Sequence, residues 1–328
     1  MTTDNLTERS LKVLRNYTAN WPGRKLGQHG IATLANEGGT RPPLIWIFNS
    51  THEFPAFAEE LGPDRPLIGL RSLHAVVNLE KRSVRDEQPL AACYAAEVAE
   101  VLEGKPCFVG GNCQGAKIAG ELGRELLLAG REIRGFIGME WTDLPPLPVQ
   151  CTLLFGAWSE EHNPFLRGLD PWPMWRSLFP AVECRFLLGR HGTYFEPAQL
   201  SALGQHVQYA LSLPPVPSRD GPAPQLDDLP ASMVAGGRRR IRLTTTGRLE
   251  ADDMMAALWS NYYGAVPCGL PHRQRAAFRH ASDDAYWFDL SAPAVRGGWT
   301  LQLFLCREGR GPLAWSTDAR RSWDIVVT

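Results

Sequence analysis

The chain has 328 residues, 44% of them hydrophobic, and a formal net charge of −1. That length holds one large domain or a large and a small one, and the composition is that of an ordinary globular protein. With no bulk charge to recruit nucleic acid or an anionic membrane, neither is expected as a partner.

Seven cysteines, an odd number without regular spacing, do not form a disulfide framework. None sits in a CxxC pair with histidine neighbours, so no metal site is expected. Residues 1–16 are polar and mixed in charge, without the apolar core of a signal segment, and no stretch nears the ~18 apolar residues of a membrane span. A cytoplasmic location, where a free thiol survives, is the expectation.

Residues 1–42 read as an N-terminal extension. From residue 43 strands and helices alternate. An apolar strand over 43–48 is followed by a helix around Phe57 and Leu61, and a second strand over 66–70. A helix fits 89–103, with Ala92, Ala95, Ala96, Val98 and Val101 at its apolar positions. Residues 106–110 form a short apolar run bounded by Pro106, as in a buried parallel strand. Strand-like segments follow at 133–139, 151–155 and 182–188, and a helix near 197–213. The alternation predicts an α/β fold with a doubly wound, mostly parallel sheet over 43–213.

The pattern then breaks. Residues 214–234 are proline-rich and read as an extended linker. From 235 to 328 strand-like stretches at 238–246, 286–290 and 299–305, with a helix over 251–263, predict a small strand-rich domain whose role its residues do not disclose. The basic run Arg238-Arg239-Arg240 reads as a solvated edge strand before it reads as a site for an acidic partner. Cys107, Cys151 and Cys184 fall inside predicted strands and read as core packing.

The most informative segment is Gly111-Asn112-Cys113-Gln114-Gly115. It follows the strand at 106–110 and precedes apolar residues at helical spacing (Ile118, Ala119, Leu122, Leu126, Leu127) that end at Gly130. This is the pattern of a nucleophile elbow with a thiol where serine usually sits. Small residues at 111 and 115 let the helix start close against the strand, leaving Cys113 in a strained, exposed turn. The positive end of the following helix favours thiolate there.

Within 43–213 the order of features resembles the α/β-hydrolase thioesterase family of nonribosomal peptide and polyketide assembly lines. The resemblance rests on the strand, elbow and helix at 107–129, the pattern Leu61-Gly62-Pro63-Asp64-Arg65-Pro66-Leu67-Ile68-Gly69-Leu70, and the late loop Gly189-Arg190-His191-Gly192-Thr193-Tyr194-Phe195. It implies catalysis by Cys113 with His191 as the base and Glu140, where the family usually has aspartate, as the acid. Asp143, Glu160 and Glu161 compete with Glu140 for that role. It further implies an oxyanion hole from the backbone N–H of Gln114 and one from the loop after Phe48, at Asn49, in place of the family's His-Pro-Gly-Gly-like loop. His52 and Trp158 are candidate pocket residues, the latter with Trp172 and Trp175.

The sulfur narrows the expectation. A serine ester proceeds to hydrolysis or cyclisation, whereas transfer to Cys113 makes another thioester, nearly thermoneutral and still activated. In this respect the chain resembles the family's cysteine-dependent aminoacyltransferases. That implies an acyltransferase moving an aminoacyl or acyl group between carrier-protein phosphopantetheine thiols, with acyl or peptidyl carrier proteins as partners and no bound cofactor. A Cys-dependent type II or product-releasing thioesterase stays open, as does a non-catalytic carrier-binding module. Only ten residues, three of them proline, separate Glu140 from Cys151, which leaves little room for a helical lid.

Overall fold

Two of the apolar runs, those before Asn49 and before Cys113, lie side by side in the middle of an eight-stranded sheet. The computed structural model describes residues 8–76, 84–216, 224–226, 229–245, 249–250, 253–260, 272–277, 279–282, 285–307, 312–315 and 323–328. These fall into two compact units, 1–144 with 149–169 and 182–215, and 145–148 with 170–181 and 216–328.

The first unit runs α1 (Glu8–Thr18), β1 (Arg24–Leu26), β2 (Ala32–Ala35), β3 (Leu44–Phe48), α2 (Glu53–Leu61), β4 (Leu67–Arg71), α3 (Val84–Val98), β5 (Cys107–Asn112), α4 (Gln114–Leu128), β6 (Ile133–Met139) and β7 (Gln150–Gly156). After α5 (Trp172–Leu178), which clusters with the second unit, it continues with β8 (Ala181–Leu187) and α6 (Pro197–Ala210). The strand order is β1-β2-β4-β3-β5-β6-β7-β8. Strands β3 to β7 pair in parallel, while β1 and β2 are antiparallel additions at one edge. The sheet therefore begins before residue 43. Strands of three and four residues carry too little pattern to be read from sequence.

Every residue of β3, β4 and β5 is buried, as expected where helices cover both faces of a parallel sheet. Trp46 and Phe48 of β3 meet Phe57 of α2 at ring-centroid distances of 5.2 and 6.0 Å, and Phe48 meets Phe195 at 5.8 Å. Each such ring contributes about 1.5–3 kcal/mol by leaving water. The chain steps from β3 to β4 on one side, then returns past β3 to β5 on the other. That reversal opens a crevice at the carboxyl ends of β3 and β5, where ligands bind in open α/β sheets. Asn49 and Cys113 are the residues that leave those two ends.

The second unit carries β9 (Pro224–Leu226), β10 (Ser232–Met233), β11 (Arg238–Thr245), β12 (Asp253–Ser260), β13 (His272–Ala277), β14 (Arg279–Ser282), β15 (Ala285–Ser291), β16 (Gly297–Arg307), β17 (Pro312–Trp315) and β18 (Trp323–Val327). They form one sheet of order β10-β18-β16-β12-β13, with β17 on β16, and a second of order β14-β15-β11-β9. Its core gathers Ile241, Leu243, Met255, Trp259, Phe288, Leu303 and Ile325.

The expected helix over 251–263 is instead β12, with 251–252 and 261–263 outside the described residues. Met, Ala and Leu favour a helix in isolation. Here β12 pairs antiparallel with β13 on one side and β16 on the other, and tertiary pairing overrides propensity. The proline-rich stretch 214–234 contains β9 and β10, and its residues 217–223 and 227–228 lie outside the described ones. Arg238, Arg239 and Arg240 are exposed, β9 pairs only with Leu243 to Thr245, and Arg240 Nε reaches Asp289 Oδ1 at 3.3 Å.

Candidate active site

Cys113 stands between β5 and α4 at φ 50°, ψ −125°, a conformation that costs a non-glycine residue on the order of 1–3 kcal/mol. The fold holds it there. Its N–H donates to the carbonyl of Met139 at 2.7 Å, and its own carbonyl accepts from the N–H of Ala116 at 3.0 Å. The two flanking glycines are sterically required. A Cβ on Gly115 would lie 2.2 Å from the Ile47 carbonyl oxygen, and one on Gly111 would lie 2.6 Å from the Gly115 carbonyl oxygen. The elbow is thus a close crossing of α4 over β3 and β5, and Cys113 emerges from it half-buried.

Glu140 follows β6 at φ 57° and is buried. Its carboxylate accepts four hydrogen bonds: Gly156 N–H at 2.7 Å, Tyr194 hydroxyl at 2.8 Å, Ser159 hydroxyl at 2.8 Å and His191 Nδ1–H at 2.6 Å. Burial pushes this carboxyl up. The bonds from His191, Gly156, Tyr194 and Ser159 outweigh that and hold it below the ordinary carboxylate range. The Cys113 sulfur lies within 4.8 Å of a ring nitrogen of His191 and interacts with it. Burial lowers His191, but its interactions with Cys113 and with Glu140 win and raise it to about 10. The imidazole is thus held between a sulfur and a carboxylate that both favour its protonated form.

Asp143 accepts from Lys117 Nζ at 2.7 Å, and Glu160 and Glu161 are exposed. Cys107, Cys151 and Cys184 lie in β5, β7 and β8, and burial pushes each thiol up, Cys107 and Cys184 to about 12. His52 is exposed at the N-cap of α2 without a side-chain capping bond. Trp158 is 59% exposed in the turn after β7. Trp172 and Trp175, in the other unit, stack edge-to-face at 5.5 Å.

The loop after β3 corrects one expectation. Gln114 opens α4 as its first residue, where helix N–H groups face outward. Asn49, the expected second oxyanion donor, instead gives its N–H to Glu53 Oε2 at 2.9 Å, and Ser50 N–H reaches the same oxygen at 3.0 Å. The loop's donors are turned inward onto a buried carboxylate. Asn49 Nδ2 also donates to the Asn112 carbonyl at 2.6 Å, and Asn112 Nδ2 faces Glu53 at 3.3 Å. This network ties the ends of β3 and β5 together just below the elbow. Burial raises the Glu53 carboxyl despite the bonds from Ser50, Asn49 and Asn112.

Three residues of the site escaped sequence reading. Tyr194 lies in the loop that flags His191, so its position was visible although its hydrogen bond to Glu140 was not. Ser159 and His162 follow β7 in a stretch without a motif. His162 is buried and stacks flat on His191, with centroids 3.6 Å apart and planes 3° apart. Burial, and then the charge of His191, lower its basicity. Ligand-type atoms of Cys113, His162 and His191 all lie within 4.8 Å of one another, a grouping that local spacing does not reveal.

No protein-family model matches the chain, and no curated protein does. Among solved structures, the chain is similar to the NocB thioesterase domain from the nocardicin cluster, with 16% identity over 56% of this chain and 99% of that one, at a TM-score of 0.45. It is also similar to the Vlm2 thioesterase domain bound with a dodecadepsipeptide, with 16% identity over 54% and 96% and a TM-score of 0.43. The surfactin thioesterase domain SrfTE gives 12% identity over 56% and 96%, with a TM-score of 0.40. No helix among the described residues is long and apolar enough to cross a membrane.

Proposed function

We propose that this chain is an acyl-thioester enzyme of the α/β-hydrolase type, moving an aminoacyl or acyl group between carrier-protein phosphopantetheine thiols through a thioester on Cys113. One observation carries the reading: a thiol sits on a strained strand-to-helix turn within 4.8 Å of a ring nitrogen of His191, whose Nδ1–H is bonded to a buried Glu140. That chain of contacts is what covalent acyl transfer needs.

Cys113 Sγ attacks the thioester carbonyl, and the His191 imidazolium gives its proton to the departing carrier thiol. The Gln114 N–H, at the positive end of α4, stabilises the oxyanion; one such donor is worth about 3–4 kcal/mol in other acyl-transfer enzymes. In the second half the incoming thiol passes its proton to His191 and attacks, and Cys113 leaves as thiolate. Glu140 keeps the imidazole in the tautomer that faces sulfur and stabilises its charge. The connection over 141–149 contains no helix, which suits a small acyl group. Hydrolysis is the second reading, because an imidazole held by Glu140 is also placed to act as a general base toward water.

Intact-protein mass spectrometry separates the readings. The protein is mixed with an acyl-loaded carrier and an empty second carrier. Label on Cys113 followed by label on the second carrier is the expected result. Release as free acid assigns hydrolysis, and absence of any adduct on Cys113 overturns both.

A further inference from the structure

Cys113, His162 and His191 come from three separate loops, after β5, β7 and β8, and converge so that one ligand-type atom of each lies within 4.8 Å of the others. One thiolate and two imidazoles are the donor set of a borderline-soft divalent cation, and Mg²⁺ or Ca²⁺, which demand oxygen, are unsuited to it. Around a tetrahedral Zn²⁺, with Zn–S near 2.3 Å and Zn–N near 2.0–2.1 Å, such donors stand ~3.4–3.6 Å apart. Modest side-chain rotation closes the difference.

The surroundings are those of a metal ligand as much as of a base. His191 gives Nδ1–H to Glu140 at 2.6 Å, and Glu140 is itself fixed by Gly156, Ser159 and Tyr194. A carboxylate behind a histidine in this manner fixes the tautomer and raises the basicity of the nitrogen that faces a metal. His162 has no place in the acyl-transfer chemistry above. It is only 7% exposed, yet its Nδ1 is buried without a hydrogen-bond partner, and such an orphan calls for an explanation. Because the two rings are stacked 3.6 Å apart and nearly parallel, their in-plane lone pairs do not converge. One ring must tilt for both to reach a single ion.

We propose that Cys113, His162 and His191 form a reversible inhibitory site for Zn²⁺, which ties up the sulfur and the imidazole together. Binding releases the proton shared by the Cys113–His191 pair, and a solvent molecule completes the coordination. The site needs no acyl chemistry, so it stands or falls separately from the function proposed above.

The test titrates Zn²⁺ alone into chelator-treated full-length protein against a chromogenic competitor. Co²⁺ serves as a spectroscopic probe in parallel. The expected result is one equivalent bound, a thiolate-to-cobalt charge-transfer band, and protection of Cys113 from alkylation as mapped by peptide mass spectrometry. His162→Phe keeps a flat ring against His191 but removes a ligand, and should weaken binding by tenfold or more. Cys113→Ser should lose the band while retaining every other cysteine, which controls for adventitious sites. If His162→Phe does not fold by circular dichroism, His162→Gln takes its place. Wild-type affinity in the His162 variant overturns the proposal, as does the absence of the cobalt band in the wild type.

Discussion

Glu140 and Glu53 are buried carboxylates that lie just beyond the carboxyl ends of β6 and β3, and each accepts several hydrogen bonds. Their acidities nevertheless move in opposite directions. Burial acts on both in the same sense. The neutral donors are also alike in kind, namely backbone N–H groups and neutral side chains. What Glu140 has and Glu53 lacks is a direct bond to an imidazole that carries a proton. A carboxylate bonded to that imidazole is kept charged, whereas Glu53, bonded to amides and with His52 acting on it without a direct bond, braces a loop at the cost of its own ionisation. On the function proposed above, the two carboxylates mark a working region and a supporting region.

The sharpest break between the regions comes from removing the proposed nucleophile. Cys113→Ala should abolish the acyl adduct and lower turnover by on the order of 10⁴-fold or more, measured as label transfer in the mass-spectrometric assay. Persistence of an adduct on another cysteine would move the working region elsewhere. Glu140→Gln should slow acylation by about 10²-fold, while Glu53→Gln, which keeps the loop's oxygen acceptor, should change it by less than about 3-fold. Equal losses from both would erase the distinction drawn above. Gly115→Ala places a methyl group 2.2 Å from the Ile47 carbonyl oxygen and should cost about 1–3 kcal/mol, read by urea unfolding. A neutral result would mean that α4 does not need its close approach to β3.

Legibility followed length and periodicity. The runs at 44–48 and 106–110 are continuous and apolar, so the parallel sheet was readable, and the two glycines around Cys113 exposed the elbow. β1 and β2 were too short to show, and β12 was misread because Met, Ala and Leu carry helical propensity that sheet pairing overrides. In the site, Cys113 was readable from the residues themselves, whereas His191 and Glu140 came from a likeness in the order of features. The inward turn of Asn49 N–H was invisible, since it depends on a glutamate four residues on that no motif marks. His162 was invisible for a similar reason. A histidine with no motif around it declares nothing until β7 and β8 bring their loops together.

The finest test compares how the two carboxylates respond to pH. Glu140 is held below its unfolded value, so the stability it contributes is fully present above the ordinary carboxylate range and lost as pH falls through it. Glu53 is held above its unfolded value, so ionising it opposes the fold. The wild type therefore loses stability as pH rises from the ordinary carboxylate range through the folded value of Glu53. Glutamine removes either titration. Urea unfolding midpoints, taken from acid up to about pH 5.5, keep His191 mostly protonated in both folded and unfolded chains, because its ordinary value is about 6.5 and its folded value lies higher. Over that window the deficit of Glu140→Gln relative to wild type should grow with pH. Glu53→Gln should shift the other way, gaining on the wild type as pH rises. Slopes of the same sign in both variants would show that the imidazole is not what divides them, and that burial alone governs each carboxyl.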